Sequence, residues 1–153
     1  MTVTQLSPAD LEDIYDTRAT LEAMATRLAV PNVSAETIAE LTATEAQLEA
    51  AQDDVVEIVR LNARFHELLY AASGRAHLCS VIAMLRHRAA HYFHAYMSEL
   101  GKYAEDGHRK IIRACKRRDA DRFNRADSSR SCDIPGSVRA TPSSQPCRTR
   151  STR

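Results

Sequence analysis

Between Asp53 and Gly74, the apolar residues Val55, Ile58, Val59, Phe65 and Leu69 recur at the 3.6-residue period of an α-helix. A stripe of that width has to be buried against other elements, so this segment commits its neighbourhood to helix packing. Asn62 falls near the centre of the stripe, and His66 lies one turn later on the same side. Polar groups that face a core need partners. Both side chains are also metal-capable, so the first question is what they meet.

The rest of the chain reads as helices placed to cover that stripe. Ser7 caps a first helix with Pro8 at its first position and Asp10 completing a capping box. Its inward residues are Leu11, Ile14, Leu21, Ala25 and Leu28, and Pro31 stops it. Ser34 caps a second helix reaching about Ala51, with Ile38, Leu41 and Leu48 on its apolar side and glutamates elsewhere. The third is the segment above, stopped at Gly74. A fourth is expected from Ala76 to Glu99, with Leu78, Val81, Ile82, Leu85, Ala89, Tyr92 and Tyr96 inward and Gly101 closing it. A fifth starts near Asp106 with His108, Ile111, Ile112 and Cys115 on one face. Asp119 caps a sixth with Phe123 and Ala126 in phase. The fold class is therefore all-α, an antiparallel bundle of about six helices.

From Asp127 the composition turns to Ser, Thr, Pro and Arg, with hardly an apolar residue left to anchor a packed element. Residues 127–153 are expected to be a disordered tail that cuts the sixth helix short. The abruptness suggests a tail out of frame with an ancestral gene. Charge divides at the same place. Residues 1–126 hold 16 Lys and Arg against 18 Asp and Glu, and the tail holds 5 against 2. The folded part lacks the basic excess of a nucleic-acid surface. No apolar run has membrane-spanning length and no signal pattern opens the chain, so a cytoplasmic protein is expected. The four cysteines are widely spread, with no C-x-x-C pair, and Cys79 and Cys115 read as small buried hydrophobes.

Position sorts the six histidines. His87, His91 and His94 form a stripe opposite Leu85, Ala89 and Tyr92, facing solvent or a second subunit, and His77 belongs to no pattern. His66 and His108 lie on the apolar stripes of two different helices. They are either satisfied core residues or, with Asn62, a shared site for zinc, nickel, manganese or iron. Asn62 brings no negative charge, so such a site would hold its ion weakly. Arg18 sits mid-stripe on the first helix with Glu22 a turn later. It forms a buried ion pair or awaits an anionic ligand.

Three segments resemble one family. Arg18-Ala-Thr-Leu21-Glu22-Ala-Met-Ala25 is similar to the R-x-x-L-E-x-x-A opening of the FadR-type C-terminal ligand-binding (FCD) domain of GntR-family transcription regulators. Asn62-Ala-Arg-Phe65-His66-Glu-Leu-Leu69 with Ser73-Gly74 resembles its D-x-x-F-H-x-x-L…S-G signature. Gly107-His108-Arg-Lys-Ile111-Ile112-Arg-Ala114 with Asp119-Ala120 resembles its E-H-x-x-I-x-x-A…D-A segment. The resemblance divides the chain into a linker remnant at 1–7, an FCD-like ligand-binding domain at 8–126 and the tail at 127–153. It implies a dimerising bundle that binds a small carboxylate metabolite. It also implies a divalent metal on Asn62, His66 and His108, with a fourth ligand from a histidine in the last helix. No histidine follows His108, and the next in-phase position is Arg130, which has no acceptor. The metal is therefore expected to be weakly held or absent.

The winged helix-turn-helix that precedes this domain in the family has no counterpart in residues 1–7. Any contact with DNA would be indirect, through a reading head outside this chain. Arg18, Arg88 and Tyr92 are the expected ligand-binding residues, Arg88 also reading as a solvated flank. The sequence thus points to an effector-sensing domain that forms a homodimer, not to an enzyme or a membrane protein. A metal-free dimerisation module is the alternative. A His-based metalloenzyme is disfavoured because Glu67, adjacent to His66, points away from its face and leaves no general base.

Overall fold

The computed structural model describes residues 7–51 and 54–120, with side chains throughout except at Pro8 and at positions 91–106. These form four α-helices and one 3-10 turn: α1 (Pro8–Ala29), the turn Val30–Asn32, α2 (Ala35–Ala51), α3 (Val55–Ala71) and α4 (Ala76–Arg117). The described residues contain no strand, and no helix among them is long and apolar enough to cross a membrane. The expected sixth helix, the tail and Arg130 lie outside the described residues, as does the linker at 1–6.

The helix starts form as their residues dictate. Ser7 Oγ accepts from the Asp10 amide at 3.2 Å, and the Asp10 carboxylate accepts from the Ser7 amide at 3.0 Å. The Ser7 hydroxyl, which donates to the Asp10 carboxylate at 2.6 Å, and then the Ser7 amide hold Asp10 below the usual carboxylate range. Ser34 caps α2 by accepting from the Thr37 amide, and Asp54 caps α3 by accepting from Glu57. Gly74 has φ +66°, the left-handed conformation that ends the turn after α3 and lets α4 start at once.

α2 and α3 are joined by so short a connection that they must lie antiparallel, and Arg64 meets Glu40 across them at 3.4 Å. The main core is built where all four helices converge: Ala25 and Ala29 of α1, Leu41 of α2, Phe65 and Leu69 of α3, and Ile82, Ile111 and Ile112 of α4. A smaller cluster joins Leu11, Ile14 and Tyr15 to Leu85 and Ala89.

α4 departs from expectation. The two helices placed either side of Gly101 are one helix of 42 residues. A glycine in a helix interior costs only about 1 kcal/mol, α4 holds two, Gly101 and Gly107, and no proline falls within the segment. Yet the Cys79 thiol meets the Tyr70 carbonyl at 3.3 Å, while the His108 ring meets His66. Along a straight helix those 29 positions would span about 43 Å, so α4 curves back and packs on α3 at both ends. Two residues expected inward are exposed, Val55 at 38% and Val81 at 42%. Val55 is the first residue of α3, beyond its packed part. The buried line of α4 runs Ile82–Leu85–Ala89, which leaves Val81 about a fifth of a turn off its centre.

Candidate functional site

α3 aims Asn62 and His66 inward as its stripe requires, and both are buried. α4 brings His108 to the same place and buries it as deeply. Phe65, beside His66 on α3, stacks on the His108 ring with centroids 4.1 Å apart, which fixes the plane of that imidazole. The two histidines meet Nε2 to Nε2 at 3.3 Å. Their outer nitrogens are held as well. Tyr70 Oη lies 3.1 Å from His66 Nδ1, and Glu45 Oε2 lies 2.9 Å from His108 Nδ1. The result is a hydrogen-bonded row across α2, α3 and α4.

Glu45 was not expected here. The α2 glutamates are expected away from the apolar side, but Glu45 is 4% exposed. The signal existed: Glu45 is four residues after Leu41 and three before Leu48, in phase with the buried face. Its position is stabilised by His108 and, more distantly, by Arg109 Nε at 3.9 Å from the other carboxylate oxygen.

A cavity of about 970 Å³ opens between α1, α3 and the first half of α4. Asn62 and His66 line one side, and Arg18 and Arg86 line another. His108 does not line it and stands behind His66. Arg18 forms the buried ion pair and also lines the cavity. Its guanidinium pairs with Glu22 at 3.0 Å, at 4% exposure, and still faces the cavity. Its CZ also stands 5.2 Å from the centroid of the Tyr15 ring, a cation–π distance. Glu22 receives a second guanidinium, Arg86, at 3.5 Å. Two cations share one carboxylate in a nearly dry wall, an arrangement suited to an incoming anion.

Arg88, expected on this wall, stands elsewhere. Arg88 is exposed and does not line the cavity, and its charge acts on Asp10 at the start of α1. Arg86, two positions earlier and so about 200° around the helix, is the cavity residue. The Tyr92 side chain lies outside the described residues. His87, expected to face solvent or a second subunit, is exposed but sits at the cavity rim. Glu67, expected to point away, contributes to the exposed part of the wall. Among the described residues, no group of three or more His, Cys, Asp or Glu side chains is arranged to hold a metal ion.

Comparison with known proteins places this geometry. The FCD domain family matches residues 13–128. The chain is 31% identical over 127 residues to the HTH-type transcriptional regulator McbR of Escherichia coli strain K12, a match spanning 78% of this chain and 57% of that one. It is 36% identical over 86 residues to the uncharacterized HTH-type transcriptional regulator YdhC of Bacillus subtilis strain 168, covering 52% of this chain and 37% of that one. The solved structure of E. coli McbR/YncC superposes with a TM-score of 0.73 at 28% identity, covering 86% of this chain and 62% of that one. The chain thus spans between about a third and three-fifths of the length of these relatives, which are transcription regulators and not enzymes. With its helical bundle and a family match over most of its length, the chain belongs to the FCD-domain family of GntR-type transcription regulators.

Proposed function

We propose that this chain is the effector-sensing and dimerisation domain of a FadR-type regulator, and that its effector is a small carboxylate bound in the cavity between α1, α3 and α4. The observation that carries the reading is the pairing of walls. Arg18 and Arg86, held by one carboxylate, face a space whose other side is Asn62 and His66. A carboxylate that docks on the guanidiniums gains charge-assisted hydrogen bonds in a poorly solvated site. An effector that favours one arrangement of the domain shifts the population of dimer geometries, and a helix-turn-helix outside this chain would report the shift to DNA.

A divalent ion is part of the proposal, because the residues present fit one. The Nε2 atoms of His66 and His108 stand 3.3 Å apart. Two imidazoles on one zinc have the same spacing, since bonds of about 2.1 Å at a tetrahedral angle put the nitrogens ~3.4 Å apart. His66 and His108 would hold the ion with Asn62 as an oxygen ligand, and zinc, nickel, manganese and iron all suit that donor set. When bound, the ion supplies a Lewis-acidic site for an effector oxygen at the cavity floor. Phe65 keeps the His108 ring in plane, and Arg18 orients the effector from the opposite wall.

The second reading is a metal-free dimerisation module. It is favoured by the lack, among the described residues, of a third His, Cys, Asp or Glu joined to the pair in a metal-holding group.

Thermal unfolding of the full chain separates the two. Melting curves are recorded with chelator or with added zinc, nickel or manganese, each against lactate, pyruvate, malate and citrate. The proposal expects at least one acid to raise the melting temperature, and to do so more strongly with metal present. Curves unchanged by every metal and every acid would leave the dimerisation module as the better account.

A further inference from the structure

The row Tyr70–His66–His108–Glu45 carries a direction that the cavity does not require. A carboxylate has no proton to donate, so Glu45 Oε2, 2.9 Å from His108 Nδ1, accepts from it. A His108 able to act as a ligand is neutral, and with Nδ1 donating, its lone pair is on Nε2. In that state the hydrogen between the two Nε2 atoms, 3.3 Å apart, comes from His66. That leaves His66 Nδ1 with a lone pair, and the Tyr70 hydroxyl 3.1 Å away donates to it. Each bond is consistent with the next, and all four side chains are buried.

We infer that Glu45 is the positioning residue of this site, and that Glu45 and Tyr70 hold the two histidines in opposite tautomers in the metal-free protein. His108 carries its proton on Nδ1 and presents a ready lone pair. His66 carries its proton on Nε2 and occupies the space between the rings with a hydrogen bond. Metal-free protein is thus closed at its floor by a His66–His108 bond instead of holding two lone pairs against each other, a repulsive arrangement in a dry interior. For both Nε2 atoms to serve as ligands, only His66 has to change. Its proton leaves Nε2 and one is taken up on Nδ1, where the Tyr70 oxygen accepts it, so no proton is gained or lost overall. The orientation of His108 is set in advance by Glu45, as carboxylates behind ligating histidines do. The part concerning ligation rests on the metal reading proposed above, whereas the tautomers of the metal-free chain do not.

The test is long-range proton–nitrogen NMR of the imidazoles in the 15N-labelled full chain, treated with EDTA and then titrated with zinc. Assignments come from His66→Gln and His108→Gln. In EDTA, His108 is expected to be protonated at Nδ1 alone and His66 at Nε2 alone. With zinc, both rings are expected to be protonated at Nδ1. Glu45→Gln, which can donate or accept, should let the His108 proton distribute over both nitrogens and lower zinc affinity about tenfold. Tyr70→Phe should leave His108 unchanged and alter only His66.

A His108 protonated on Nε2 in the EDTA-treated wild type, alone or together with Nδ1, would overturn the inference. So would a Glu45→Gln variant that melts earlier but keeps the wild-type His108 tautomer, since Glu45 would then be structural only. The expected tautomers in a wild-type chain that binds no zinc would support the orienting role and count against the metal reading alone.

Discussion

The two sides of the cavity solve the same problem by different means. Both bury polar groups. The α1–α4 wall does it with permanent charge, Arg18 and Arg86 around Glu22, and part of that cluster is local, Arg18 and Glu22 being one helical turn apart. The floor does it with groups that can stay neutral, histidines and a tyrosine ending on Glu45. Its decisive contacts link residues 42 and 63 positions apart in the chain. A local charge pair forms as soon as its helix does. The floor exists only once α2, α3 and α4 have docked, so it should respond to packing more than to charge.

That contrast gives its largest expected effect at Phe65, which is fully buried and stacked on His108. Phe65→Ala should cost about 3–5 kcal/mol in a denaturant titration, and the remaining protein should lose zinc binding while Arg18 and Glu22 stay paired. Glu22→Ala attacks the other side. It leaves two guanidiniums in a nearly dry wall without their shared carboxylate, and about 3 kcal/mol should be lost. Here the effect should shrink when a carboxylate is added, because the ligand can replace the missing charge. If added acids restore Phe65→Ala as well as Glu22→Ala, the distinction between the two sides fails.

Smaller effects sharpen the picture. Gly74→Ala forces a side chain into a positive φ at the turn joining α3 to α4, with open space around it. Strain alone should cost about 1 kcal/mol and leave ligand binding intact. The cysteines should separate by burial. Cys115 lies in the main core, and burial pushes its thiol up to about 11. In the folded protein it should resist a thiol reagent at neutral pH, while Cys79, half-buried on the cavity, reacts before it. Mass spectrometry after brief labelling would show the order.

Much of this was legible in the residues because helical period is a local signal. Arg18, Asn62, His66 and His108 were found on inward stripes and are buried there. The same period misled where a helix has a broad face. Arg88 is expected on the wall and Arg86 stands there instead, because the facing angle of α4 depends on where α1 and α3 lie, which no local pattern states. The separation at Gly101 failed for a different reason: one glycine weakens a helix without stopping it. Glu45 was in phase with Leu41 and Leu48, but a glutamate there reads as a solvated side chain until its partner is known. That partner, His108, is on another helix, and pairing across 63 positions is tertiary information.

The most direct test of the account is equilibrium dialysis of zinc against the chelated full chain, in the wild type and in His66→Ala and His108→Ala. The account predicts one weakly held ion per chain in the wild type and an affinity at least about tenfold lower in either variant, with helical circular dichroism retained. It would be contradicted by a wild-type chain that takes up no ion, or by variants that bind as the wild type does.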